Sequence, residues 1–139
     1  MNKSRAFLVL VAGFALVIRV IANGQGTIRV SEASLRKAAV KIVTPEYPED
    51  SKKARATGVA VASVGTDTSG NVESVEIVEA PDSSIKKAVD SAVRQWRFGQ
   101  AFAGGKPVKV LGKLTFYYII DSDGARVENP KTFTRVQPK

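Results

Sequence analysis

The chain contains no cysteine and no histidine. Without thiols there is no disulfide framework, no thiolate metal site, no thiol nucleophile and no lipid attachment through an N-terminal cysteine. Without imidazole the usual proton shuttle and the commonest metal ligand are missing, so catalysis would have to rest on carboxylates, Lys, Tyr or Ser. Acid is in short supply too: 13 Asp and Glu against 21 Lys and Arg give a formal charge of +8. Lys3, Arg5 and Arg19 lie in an N-terminal stretch with no acid, and setting them aside leaves 18 bases against 13 acids. Those bases are scattered among acids rather than gathered in one run, which reads as solubility charge and not as a nucleic-acid surface. With the hydrophobic N-terminus set aside, 139 residues hold enough apolar material for one core.

Lys3 and Arg5 precede Ala6 to Ile18, 13 uncharged and mostly apolar residues that match the h-region of a secretory signal. A membrane-crossing helix needs about 20 apolar residues, a length reached only if Val20 to Ala22 join the run and Arg19 snorkels. Val20 and Ala22 are small enough to precede a signal-peptidase cut, which would leave Asn23 as the new N-terminus. Residues 1–22 are therefore expected to export the chain, with a retained signal anchor as the alternative and membrane contact only if the segment stays uncut.

Residues 23–44 read as a linker with a short helix, since Leu35, Ala38, Ala39 and Ile42 follow helical spacing and Ser31 can cap the start. The β-branched end, Val40 to Val43, suits an extended chain equally well. Pro48 begins a second short helix with acids first and bases last, the order that the helix dipole favours. Val59 to Thr66 and Val72 to Glu79 read as a hairpin turning at Asp67 to Asn71, with Ser63 as the expected bulge. Ile85, Ala88, Val89, Ala92, Val93 and Trp96 then form one stripe of an amphipathic helix, and Trp96 is expected in the core. In the next strand Val108, Val110, Leu114, Phe116 and Tyr118 share a face, while Lys109, Lys113, Thr115 and Tyr117 point the other way. Residues 121–139 read as a polar tail holding at most a small hairpin.

No chemical motif is complete. Gly105 and Lys106 are followed by Pro107 and so make no phosphate loop. Glu73 and Glu79, six residues apart at about 3.3 Å each, stand too far from each other for a carboxylate pair, and Glu76 is expected on the opposite face. Asp121, Asp123 and Gly124 lack the closing glutamate of a calcium loop. The serines have no base partner. No catalytic residue, metal ligand or cofactor site is assigned, and the chain is expected not to be an enzyme.

The order Pro45, Tyr47, Pro48, then Gly58, then Asp67 to Val72 around Gly70, then Trp96, Arg97 and Phe98, then Gly105, Lys106, Pro107 and Val108 resembles the TonB C-terminal domain family over residues 45–120. The resemblance implies an α+β fold: a three-stranded antiparallel sheet with two helices packed on one face. Each of these residues also has a plain structural reading: Tyr47 and Pro48 set the entry to the helix at Pro48, Gly58 is expected as its C-terminal cap, Gly70 as the hairpin turn, and Trp96 with Phe98 as cover for the end of the core. The resemblance also implies a periplasmic domain whose last strand lies at the sheet edge and accepts an extended protein segment by β-augmentation. The partner-binding residues are then Val108, Lys109, Val110, Leu111, Lys113, Thr115 and Tyr117. The partner would be a segment of an outer-membrane receptor or of another envelope protein, with a role in energy-coupled transport across the outer membrane. The alternative is a structural envelope protein that forms a homodimer through the same strand, and no nucleic acid is expected in either reading. Thr44 stands where transducers of the family often carry Gln. Between the hydrophobic run and the motif lie only residues 23–44, which span at most about 75 Å, so an anchored form would work close to its own membrane.

Overall fold

The computed structural model describes residues 26–130, so the signal or anchor expected at 1–22 and the end of the tail lie outside the described residues. The elements in chain order are β1 (Thr27–Arg29), α1 (Glu32–Ala38), β2 (Ala39–Lys41), α2 (Glu49–Lys53), β3 (Gly58–Thr66), β4 (Val72–Glu79), α3 (Ser83–Arg94), β5 (Arg97–Phe98), β6 (Ala101–Ala103), β7 (Lys106–Asp121) and β8 (Gly124–Glu128). The α+β class is as expected, but the sheet has six strands where the resemblance implied three. Its long axis is β7, antiparallel to β3 from Gly58↔Tyr118 to Gly65↔Leu111. β3 in turn pairs with β4. Among the described residues no helix is long and apolar enough to cross a membrane.

Alternation places Ala60, Ala62 and Val64 of β3 and Val108, Val110, Leu114, Phe116 and Tyr118 of β7 inside, as strand periodicity requires. Helix α3 lays its stripe of Ile85, Val89, Ala92 and Val93 over β4 and β3, while α1 lies against β7. Asp82 caps α3, accepting from the Ile85 N–H at 2.7 Å with one oxygen and from the Ser51 hydroxyl at 2.7 Å with the other, which ties α2 to α3. Trp96 is 0% exposed, and its indole N–H donates to the Val43 carbonyl at 2.8 Å. It is a core residue.

Several local details differ from the sequence reading. Ser31 caps α1 as expected, accepting from the Ser34 N–H, but the chain turns extended at Ala39 and pairs as β2 with β5. Residues 27–29, read as linker, form a strand. Gly58 is not the cap of α2: Arg55 takes the left-handed conformation there, and Gly58, at φ 138, opens β3. The bulges lie in β4, where Glu73 and Val78 are the extra residues, and not at Ser63. The second bulge puts Glu76 and Glu79 opposite Ser63 and Val61, hence on one face, where simple alternation had separated Glu76. Gly70, at φ 89, makes the hairpin turn, and a Cβ there would collide with the Phe98 carbonyl.

Candidate functional site

The family-motif residues gather on the covered side of the sheet. Pro45 is buried and Pro48 is the N-cap of α2 at φ −62. The Tyr47 hydroxyl donates to the Ala56 carbonyl, and its ring meets Tyr118 edge-on at 5.0 Å. Trp96 lies 6.0 Å from Phe98 and 6.2 Å from Phe116, ring centre to ring centre. These contacts make two aromatic groups, Tyr47 with Tyr118 and Trp96 with Phe98 and Phe116.

The candidate partner strand is placed differently from the expectation. Val108 to Tyr118 is not an open edge, because β7 carries strands on both sides. Val108 faces Ala101 in the β6 hairpin. Lys109, Val110 and Leu111 face Thr27, Ile28 and Arg29 of β1 in parallel register, and Tyr117 faces Glu128 of β8. The physical reason is that segments on either side of the motif residues fold back onto the strand, adding one short parallel and one short antiparallel ladder. What remains is a window from Gly112 to Phe116 with no strand on its outer side among the described residues.

Lys113 and Thr115 lie in that window. The Thr115 N–H donates to Glu32 Oε1 at 2.7 Å and its hydroxyl to Glu32 Oε2 at 2.9 Å. The Thr115 carbonyl accepts from Arg36 Nη2 at 2.6 Å. Both backbone groups of Thr115 therefore point away from β3, and by two-residue alternation those of Lys113 do as well. Arg36 Nε also donates to Glu32 at 3.0 Å and Nη1 to Asn129 at 3.1 Å. The guanidinium carbon lies 5.4 Å from the Phe116 ring centre and 5.8 Å from that of Trp96, a cation–π arrangement that fixes its position.

Beside this window lies a cavity of about 370 Å³ lined by Arg29, Val30, Glu32, Ser63, Leu111, Gly112, Lys113 and Thr115. Lys113 is exposed, whereas Lys109 is half-buried and bonds Glu73 at 3.0 Å. Arg29 and Lys113 outnumber the one acid of the lining, and that acid is engaged by Thr115 and Arg36. The groove thus carries net positive charge and runs along the outward backbone groups of Lys113 and of Thr115, the latter already bonded by Glu32 and Arg36. Among the described residues no three His, Cys, Asp or Glu side chains gather as a metal site would require.

Glu32 and Arg36 are the site residues that sequence reasoning missed. An acid four residues before a base on a short helix looks like an ordinary surface pair, and nothing in their spacing signals a backbone 79 or 83 residues further along the chain.

A family model described as Gram-negative bacterial TonB protein C-terminal matches residues 43–120. Among solved structures, the solution NMR structure of the Pseudomonas aeruginosa TonB CTD is similar in fold, with a TM-score of 0.50 and 23% sequence identity over 60% of this chain and 86% of that one. No curated protein matches the sequence.

Proposed function

The chain belongs to the Gram-negative bacterial TonB protein C-terminal family, and from that premise we propose that it binds an extended, acid-bearing segment of an envelope protein along the outer side of β7. The family is one of periplasmic protein-interaction domains that serve TonB-dependent energy transduction. In this reading the chain is exported by residues 1–22, and the bound segment belongs to an outer-membrane receptor. The receptor then draws on work supplied by a separate membrane complex, since the site has no chemistry of its own to generate it.

One observation carries the reading: the outward N–H and C=O of Thr115, with those of Lys113 beside them, in a basic groove. Main-chain groups of this kind supply affinity in strand addition, while side chains supply register. Lys109, Leu111 and Tyr117 extend the same side of the strand by two-residue alternation and form the wider docking track, whereas Val110, whose N–H donates to Thr66 Oγ1 of β3, and Val108 turn their backbone groups the other way and flank it. Lys113, being exposed, contributes about 1 kcal/mol or less as an ion pair.

The test is titration of the full chain with synthetic periplasm-facing segments of outer-membrane receptors, followed by amide chemical shifts. Thr115→Pro removes an N–H that faces away from β3 and is expected to abolish binding while the circular dichroism melt persists, because a proline on the outer side of a strand leaves the inner ladder intact. Thr115→Val keeps the backbone donor and is expected to bind. Normal binding by a folded Thr115→Pro variant would sink the reading, as would complete loss of binding in Lys109→Ala with Lys113→Ala.

A further inference from the structure

The family match ends at residues 43 and 120, yet the outer side of β7 is covered by elements from beyond both limits. From the N-terminal side come β1, parallel to Lys109–Leu111, and α1 over Thr115. From the C-terminal side comes β8, antiparallel to Tyr117–Asp121. The N-terminal segment copies what an added strand does. The Val30 N–H donates to the Leu111 carbonyl at 3.0 Å. One turn later the Glu32 carboxylate stands in for a strand carbonyl, and the Arg36 guanidinium stands in for a strand N–H. Gly112 makes room for this: a Cβ there would lie 3.0 Å from Leu35 Cδ2 and 3.4 Å from Val30 Cγ2.

We infer that residues 27–36 are a built-in competitor for the partner strand, so that docking of this segment and docking of a partner along Lys109–Thr115 exclude each other. The inference rests on the β7 reading of the proposed function and adds its regulation. The competitor is suited to exchange. Its ladder is three residues long, Thr27 and Arg29 at its ends are exposed, and the bonds that Glu32 and Arg36 make to Thr115 are those that a strand carbonyl and N–H would remake. Leu35, 1% exposed, keeps α1 seated, which confines the exchange to β1 and to two side chains. A protein closed in this way keeps the outer side of β7 occupied at Lys109–Leu111 and at Thr115, and a partner binds with an affinity lowered by the fraction of time the segment is docked.

The absence of cysteine allows a direct test in the full chain. Thr27 and Lys109 stand opposite each other in the register, and Thr27→Cys with Lys109→Cys would lock the segment down when oxidised and free it when reduced. The probe is the same set of synthetic receptor segments. The oxidised protein is expected to bind at least tenfold more weakly than the same protein reduced, and Ile28→Pro, which weakens β1 without touching β7, is expected to bind at least threefold more tightly than wild type. Equal affinity in the oxidised and reduced states overturns the competition while leaving a protein-binding role at another surface. Failure of the reduced, Ile28→Pro and wild-type proteins to bind any receptor segment overturns the β7 reading itself, and the inference with it.

Discussion

Tyr118 is 1% exposed yet carries a hydroxyl, which is satisfied by donating to the Glu46 carbonyl at 3.1 Å. Burial, and then the nearby Tyr47 and Asp82, raise its pKa well above the ordinary phenol value of 10.0. Tyr47 moves the same way, through burial first and Asp82 second. In the unfolded chain both phenols ionise near the ordinary value, whereas in the folded chain they keep their protons. The folded state therefore binds more protons once the pH passes 10, and stability falls as pH rises from there, with no contribution to pH dependence below it. Tyr118→Phe is expected to reduce that alkaline loss, and also to cost about 0.5–1.5 kcal/mol at neutral pH for the lost hydrogen bond. Urea midpoints measured between pH 8 and pH 11 would show both effects. An alkaline slope unchanged in the Phe variant would mean that the buried phenol is not its source.

β4 is bonded to β3 alone among the described residues, so its other side is a strand edge of the kind that recruits copies. Two bulges, at Glu73 and Val78, break its regularity, and Glu76 and Glu79 are exposed along it. An antiparallel second copy would bring like charges together. The chain is accordingly expected to stay monomeric at this edge in sedimentation velocity. Glu76→Thr with Glu79→Thr, which spares the Glu73–Lys109 ion pair, is expected to associate with rising concentration because Val78, 52% exposed, then meets no repulsion. If wild type dimerises and the double variant does not, the glutamates attract a partner instead of guarding the edge. Helix α3 and the two faces of β7 were legible in the sequence because periodicity records burial directly. The bulges were not, since either phase of β4 gives similar alternation over so few residues. The covering of β7 was not legible for a different reason: a pattern shows which face of a strand is buried but not which strand lies beside it, and Thr27 meets Lys109 across a long intervening chain. The faces of the strand were legible and its neighbours were not.

At the scale of the molecule, the matched region of residues 43–120 is completed by what flanks it. Leu35 enters the same core as Trp96 and Phe116, Arg36 stacks on those two rings, and α1 with β1 closes the outer side of β7. The flanking segment thus acts as core and as cover at once, and the two roles are separable. Leu35→Ala in the full chain removes core volume and is expected to cost about 2–5 kcal/mol, with the backbone of β7 still covered. A fragment of residues 43–120 loses the core contribution and the cover together, exposing β7 from Lys109 to Ile120 as a long unpaired edge, the arrangement that invites pairing between copies. The fragment is therefore expected to be less stable than wild type and to self-associate, whereas Leu35→Ala is expected to be less stable and monomeric. Analytical ultracentrifugation beside thermal melts distinguishes them. A monomeric fragment would show that β7 needs no cover, which would remove self-pairing through this strand as an alternative to partner binding. A Leu35→Ala protein that associates as strongly as the fragment would show instead that loosening the core is enough to lift the segment from the strand.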